Sequence, residues 1–316
     1  EAVAGATTTI DQVQQTVTPG QRETQHQLRF HVISSKGSEQ RIDLPPGSRV
    51  KSVRVDDESR AVDEDSQRII VPVNPGQHWV DVEWRETVAL GTRLETPAVN
   101  LNAPFVNHSI TLQVPAGRWV LFAGGPAMGP AVLFWGVLIV TLIIAVALGR
   151  LRHLPLTTGH WLLLVLGLCA GWIQLMIPLV AWFVLMHWRS RIDPQRLTRT
   201  RFNLLQLALA ALSVVTLLAL VAAIPNGLLG SPDMGVVGNG SSQYQLNWFV
   251  DRGDATLTQA WVISIPLWIY RALMLVWSLW LALKLLGWLK WGWTAFTHEG
   301  YWRSDRISRP DAEPKS

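Results

Sequence analysis

The chain has 316 residues, 49% of them hydrophobic, a formal net charge of +4 and one cysteine. A single cysteine, Cys169, excludes a disulfide framework and any cysteine-based metal site. The positive charge is no pointer to nucleic acid. Residues 1–127 carry 12 Lys/Arg against 15 Asp/Glu, residues 128–316 carry 15 against 8, and basic residues beside apolar runs ordinarily serve lipid headgroups and topology.

The chain begins Glu1-Ala-Val rather than with Met, so a signal peptide or a longer N-terminal region is expected before it. Residues 1–26 are rich in Thr and Gln without a clear period and read as a linker or weak strand. Residues 27–120 read as a β-rich soluble domain. Leu28–Val32, Val50–Val55, Arg68–Val71 and Val80–Trp84 alternate apolar and polar residues, and Val106–Val114 does so more weakly. Pro19-Gly20, Pro46-Gly47 and Pro75-Gly76 fit type II turns between such strands. This spacing predicts an antiparallel β-sandwich-like domain or small barrel. The acidic stretch Asp56–Glu58 and Asp63–Asp65 lacks the spacing and glycine of a calcium loop, and reads as a solvated connection.

Four apolar runs follow, Met128–Leu148, Trp161–Trp188, Asn203–Ile224 and Ala260–Leu289. Each has about the 20 residues needed to cross a bilayer, so residues 128–289 are predicted to form a transmembrane helical domain of three to four spans. In the second run Gly167, Gly171, Gln174 and Pro178 cluster at the midpoint, where helix-weakening groups mark a kink or the tip of a re-entrant hairpin. Tryptophans at the ends of the runs fit the headgroup zone. The 225–259 segment is an extramembrane loop, either loosely ordered or a hairpin that docks on the β domain or on a partner. Asn239, Tyr244 and Trp248 are its candidate docking residues. Residues 290–316 form a basic tail.

Charge predicts sidedness. With four simple spans, 10 Lys/Arg between and after the runs fall on one side and 3 on the other, which places the β domain inside. With a re-entrant second run the division is 12 to 1 and the β domain lies outside. The positive-inside rule favours the second arrangement.

Arg271 is the candidate intramembrane functional residue, with Gln174 and a carbonyl freed by Pro178 as available partners. The runs hold no Asp or Glu to pair with it, and a charge at the bilayer centre costs at least about 2.5 kcal/mol. Alternatively the span starts near residue 270 and Arg271 snorkels to the surface. The motifs of an intramembrane metalloprotease, a nucleophile elbow and a phosphate-binding loop are missing from the sequence. No catalytic, cofactor-binding or metal-ligating residue is therefore assigned, and no cofactor is expected.

The stretches Gly129–Trp135, Gly230–Met234, Gly238–Ser241, Trp248–Arg252, Gln259–Val262 and Tyr270–Met274 resemble the C-terminal membrane region of large, uncharacterised inner-membrane proteins of Gram-negative bacteria. The resemblance covers most of residues 105–305 and implies that the chain continues a longer, periplasmic N-terminal part. It supplies no activity. The expectation is a multi-pass protein of the bacterial inner membrane, with a periplasmic β domain and a cytoplasmic C-terminal tail. Its partners would be the bilayer and envelope proteins, without nucleic acid. It would act as a binding, scaffolding or assembly component. The alternative is a transporter or channel subunit that uses Arg271 and the broken second run.

Overall fold

A computed structural model describes residues 8–151, 154–169, 173–192 and 197–302. Gly171, Arg152, Arg196 and the basic tail from residue 303 onward lie outside the described residues. The strands are β1 (Thr8–Pro19), β2 (Thr24–Ser34), β3 (Ser38–Asp43), β4 (Ser48–Val55), β5 (Glu58–Arg60), β6 (Arg68–Val73) and β7 (Gly76–Glu86). They continue as β8 (Arg93–Glu95), β9 (Phe105–Gln113), β10 (Arg118–Gly124), β11 (Ala131–Val132), β12 (Val236–Val237), β13 (Gln245–Gly253) and β14 (Trp261–Pro266). The helices are α1 (Phe134–Gly149), α2 (Thr158–Cys169), α3 (Met176–Arg189), α4 (Arg199–Leu229) and α5 (Leu267–Thr297), with a 3-10 turn at Ile173–Leu175. The chain divides into two compact units. Residues 1–135 and 231–270 form a β unit, and residues 136–230 and 271–316 form a helical unit.

The β unit is built on a seven-stranded sheet in the order β13-β9-β1-β2-β7-β4-β5. Strict alternation along β2 buries Thr24, His26, Leu28, Phe30 and Val32 on one face, and Val80, Val82 and Trp84 of β7 continue that face. The β3–β6 pair covers one half of it through Ile42, Ile69, Val71 and Val73. The three-stranded sheet β10-β14-β8 covers the other half through Val120, Val262 and Leu94. The smaller sheets pack on the seven-stranded one through these buried side chains. Asp56 and Asp57, both at positive φ, form the two-residue hairpin turn between β4 and β5. The acidic stretch thus begins as a turn.

The predicted fold class requires correction. The sheet is mixed, not antiparallel, because β1 runs parallel to β9 while pairing antiparallel with β2. Residues 8–19, expected as a linker or weak strand, supply β1, near the middle of that sheet. The β unit also reaches beyond residue 120 to take in 231–270. Three to four membrane spans are not supported. Among the described residues two helices, α4 and α5, are long and apolar enough to cross a membrane, at 31 residues each. The first run spends its opening on β11 and leaves α1 with 16 residues, about 24 Å at 1.5 Å per residue against a hydrocarbon core of about 30 Å. The second run is two short helices. Trp161 near the start of α2 and Phe183 in the middle of α3 bring their rings to 5.6 Å, so the chain doubles back between them. The fourth run opens as β14 before α5 begins.

The helical unit is held by aromatic packing. Phe183 touches Trp161, Trp182, Trp288 and Trp291 with ring centroids 4.8–5.9 Å apart, which ties α2, α3 and α5 together. Trp277 Nε1 donates to the Leu163 carbonyl at 2.8 Å, and Trp182 Nε1 donates to Ser213 Oγ at 2.8 Å. The leucines of α4 and α5 that face away from this cluster are exposed, Leu207 at 63% and Leu283 at 67%.

Candidate functional site

The residues singled out in the sequence do not converge. Arg271 is the fifth residue of α5 and exposed, and among the described residues no hydrogen bond joins it to Gln174. Gln174 lies exposed in the 3-10 turn. Pro178 is the third residue of α3, where a missing N–H breaks no helical bond.

The 225–259 segment is ordered secondary structure. Asn239 takes positive φ in the Gly238-Asn239-Gly240 turn, and Tyr244 is exposed just before β13. Trp248 is buried at 1% in the core of the β unit. Gly129 lies so close to the Trp248 indole that a Cβ there would overlap it. β13 pairs with β9 from Gln245–Gln113 to Gly253–Phe105, and its outer edge is covered where Phe249 N donates to the Met128 carbonyl at 2.8 Å. The segment is neither a loosely ordered loop nor a hairpin: its strands β12 and β13 pair with β11 and β9 and not with each other.

The polar sites the structure does assemble were not legible as sites. The first is in the helical unit. Arg189 ends α3 and is fully buried. Its Nε donates to Gln206 Oε1 of α4 at 3.3 Å, and its Nη2 donates to the carbonyls of His298 and Gly300 at 2.9 and 3.0 Å. Gln206 Nε2 donates to the Phe296 carbonyl at 3.1 Å and the Tyr301 carbonyl at 3.3 Å. The guanidinium also lies over the Phe202 ring, 5.0 Å from its centre. Gln206 thereby caps a last-turn carbonyl of α5, and Arg189 holds two carbonyls just beyond Thr297, where a cation complements the helix dipole. The chain turns out of α5 through Glu299 and Gly300, both at positive φ. In the sequence Arg189 is one of several arginines after an apolar run, and nothing near it signals burial.

The second lies in the β unit. His26 stacks on Trp84 with ring centroids 5.0 Å apart. Glu86 Oε1 accepts from Trp84 Nε1 at 3.1 Å and from Ser48 Oγ at 3.4 Å, and sits 3.6 Å from His26 Nε2. Burial pushes His26 down to about 4 despite that carboxylate, because the desolvation of an imidazolium outweighs one partly screened neighbour. His108 is fully buried beside Phe105, 5.4 Å between ring centres, and is likewise pushed by burial to about 4. Both imidazoles are therefore neutral core residues. On the outer face of the sheet Asp11 meets His31 Nδ1 at 2.6 Å, and at the β4–β5 turn Asp56 meets His78 Nδ1 at 2.6 Å. Hydrogen bonds from His78 and from the Trp79 N–H hold the Asp56 carboxyl below the usual carboxylate range. Among the described residues no three His, Cys, Asp or Glu side chains gather as a metal site would require.

No family model matches the chain, and no curated protein matches it. Solved structures give partial likenesses. The M1 zinc metallopeptidase of Deinococcus radiodurans aligns at 15% identity and a TM-score of 0.28, covering 39% of this chain and 35% of that one. A two-domain M1 zinc metallopeptidase variant bound to L-tryptophan aligns at 13% identity and a TM-score of 0.29, covering 40% and 36%. This chain thus spans little more than a third of the proteins it matches. These likenesses do not show that it is an enzyme.

Proposed function

We propose that the chain is a membrane-anchored β-domain protein of the bacterial envelope that works as a binding, scaffolding or assembly component and not as an enzyme. The observation that carries this reading is the place of β13. That strand lies between the two long apolar helices, yet it is an integral strand of the seven-stranded sheet. The C-terminal end of α4 and the N-terminal end of α5 therefore lead into and out of the β unit. Their opposite ends lie toward Arg189, Arg191, Arg199, Arg201 and Lys290. The positive-inside rule supports a cytoplasmic location for that basic end and an external one for the β unit.

The exposed leucines of α4 and α5 support insertion, since a surface of this apolar character wants a non-aqueous solvent. A binding role is supported by the engagement of the polar groups in structure. Arg189 and Gln206 hold carbonyls at and just beyond the end of α5, and Glu86 serves Trp84 and Ser48. Protease treatment of intact spheroplasts tests the proposal. The β unit should be degraded from outside while the chain resists alkaline extraction from membranes. A protected β unit, or a chain released by alkali, would overturn it.

A further inference from the structure

The three-stranded sheet β10-β14-β8 turns one face to the core of the β unit through Val120, Val262 and Leu94. Its other face is aromatic. By register that face pairs Trp119 with Ile265 and Phe122 with Ile263, and sets Trp261 opposite Gly124, where a Cβ would overlap the indole. Phe122 stacks on Trp135 with ring centroids 5.0 Å apart, and Trp119 meets Tyr270 at 5.3 Å. Trp135 donates its N–H to the Leu121 carbonyl at 2.8 Å, so the stacked pair presents rings. All these residues belong to the β unit. Phe122 is 43% exposed, and Trp268, two residues beyond β14, is 67% exposed. The seven-stranded sheet differs. Its outer face carries Gln14, Thr18, Gln25, Gln27 and Arg29, all exposed. An aromatic sheet face beside a polar one marks a contact surface.

We propose that this face rests in the headgroup layer of the bilayer that α5 crosses, held there by burial of its rings and not by charge. The inference rests on the membrane reading above. The start of α5 carries it. β14 runs into α5 without a connecting residue. Leu267 N donates to the Gly117 carbonyl at 2.9 Å, which fixes the first turn of the helix to the start of β10. At 1.5 Å per residue, Lys284 lies about 26 Å and Lys290 about 35 Å along α5 from Leu267. The hydrocarbon core is about 30 Å thick, so a span that ends at these lysines begins in the first turn. Along β14, Ile265 is then about 7 Å and Ile263 about 13 Å from the point of entry. Each headgroup layer is about 5–8 Å deep, and it takes in both pairs when β14 runs closer to the membrane plane than to its normal. Indole favours that layer, where its ring is half buried and its N–H finds water. Charge contributes little on this face. Arg93 lies over the Trp261 ring at 5.4 Å and pairs with Glu95 at 2.5 Å, and Arg118 donates to Ser264 Oγ at 3.2 Å and to the Gly91 carbonyl.

The test uses the full chain in a Cys169→Ala background, in phosphatidylcholine nanodiscs, with one nitrobenzoxadiazole label per variant. Labels go at Phe122→Cys and at Arg93→Cys, which lies opposite Ile263 on the same face. Both should emit to the blue, lose emission to lipid carrying a nitroxide on its headgroup, and resist aqueous iodide. A label at Gln27→Cys on the polar sheet face should do the reverse. A label at Leu218→Cys, exposed on α4, reports insertion through quenching by a nitroxide deep in the acyl chain. Adding phosphatidylglycerol or raising the salt should leave the signals at Phe122→Cys and Arg93→Cys unchanged. Iodide quenching at either position, with Leu218→Cys still quenched by lipid, would overturn the inference and leave the membrane reading intact. So would labels quenched by neither agent, the mark of protein over the patch, or lipid quenching that needs phosphatidylglycerol. Failure of lipid to quench Leu218→Cys would overturn both readings.

Discussion

At the scale of single residues, the two units solve the same problem in opposite ways. Each buries a group that can carry charge and gives it no fully adequate counter-ion. In the β unit the solution is neutrality. His26 and His108 stay unprotonated because their burial pushes both down to about 4. The unfolded chain takes up these protons near pH 6.5, and the folded chain refuses them until about pH 4. Their contribution is therefore complete above pH 6.5 and falls as the pH drops between those values, by up to about 3 kcal/mol for each histidine. Melting temperatures of the detergent-solubilised chain should fall from pH 7 to pH 4.5. His26→Phe combined with His108→Leu should flatten that dependence. An unchanged slope in the double variant would show that carboxylates elsewhere set it.

In the helical unit the solution is hydrogen bonding. Arg189 keeps its charge and spends it on carbonyls just beyond α5, bonds worth about 1.5–3 kcal/mol each when the donor is charged. Arg189→Leu should therefore cost about 3 kcal/mol or more, although leucine is the more apolar side chain, because the His298 and Gly300 carbonyls lose their donor. Arg189→Lys should recover only part of this, since an ammonium lacks the planar fork that reaches Gln206 and both carbonyls together. Thermal unfolding in detergent micelles reads both effects.

At the scale of elements, alternation made β2, β4, β6 and β7 readable, because each buries one clean face. It left β1 undecided between linker and weak strand for two local reasons. The register slips between Ile10 and Gln12, which breaks the period of two, and Gln15 occupies a core position with a polar side chain. The partner of β13 was not readable, since pairing with β9 depends on a segment more than a hundred residues away. The apolar runs were legible as composition and misleading as spans. Hydropathy does not separate β14 from α5 across Pro266, nor the arms of a doubled-back pair from one long helix. The clamp at Arg189 and the histidine cores had no signal, because burial is a property of the packed unit.

Residues 27–115 alone lack β1, which holds β2 and β9 on its two sides, and lack β13 and β14. Such a fragment should give a circular dichroism spectrum without a cooperative melt. Residues 8–124 joined by a flexible linker to 231–266 should melt cooperatively. A cooperative transition in the shorter fragment would show that β1 and the returning strands are accessory.

At the scale of the whole molecule, one topological constraint governs where every loop can lie. Four simple spans would place the β domain and the 225–259 segment on opposite faces of a bilayer. The pairing of β13 with β9 makes that impossible, because strands of one sheet cannot be separated by hydrocarbon. Glu58, beside the β4–β5 turn, and the turn at Ser242 must therefore share a side, while Arg191, beyond the far end of α3 and before α4, should lie on the other. In a Cys169→Ala background, Glu58→Cys and Ser242→Cys should both react with a membrane-impermeant maleimide added to spheroplasts, and Arg191→Cys should react only after the membrane is opened. Labelling of Glu58→Cys and Ser242→Cys from the cytoplasmic side alone would invert the orientation without touching the fold. Labelling of all three from outside would show that α4 does not cross. Labelling of Glu58→Cys and Ser242→Cys from opposite sides would dismantle the seven-stranded sheet itself, and with it the reason for placing the β unit and the segment between α4 and α5 together.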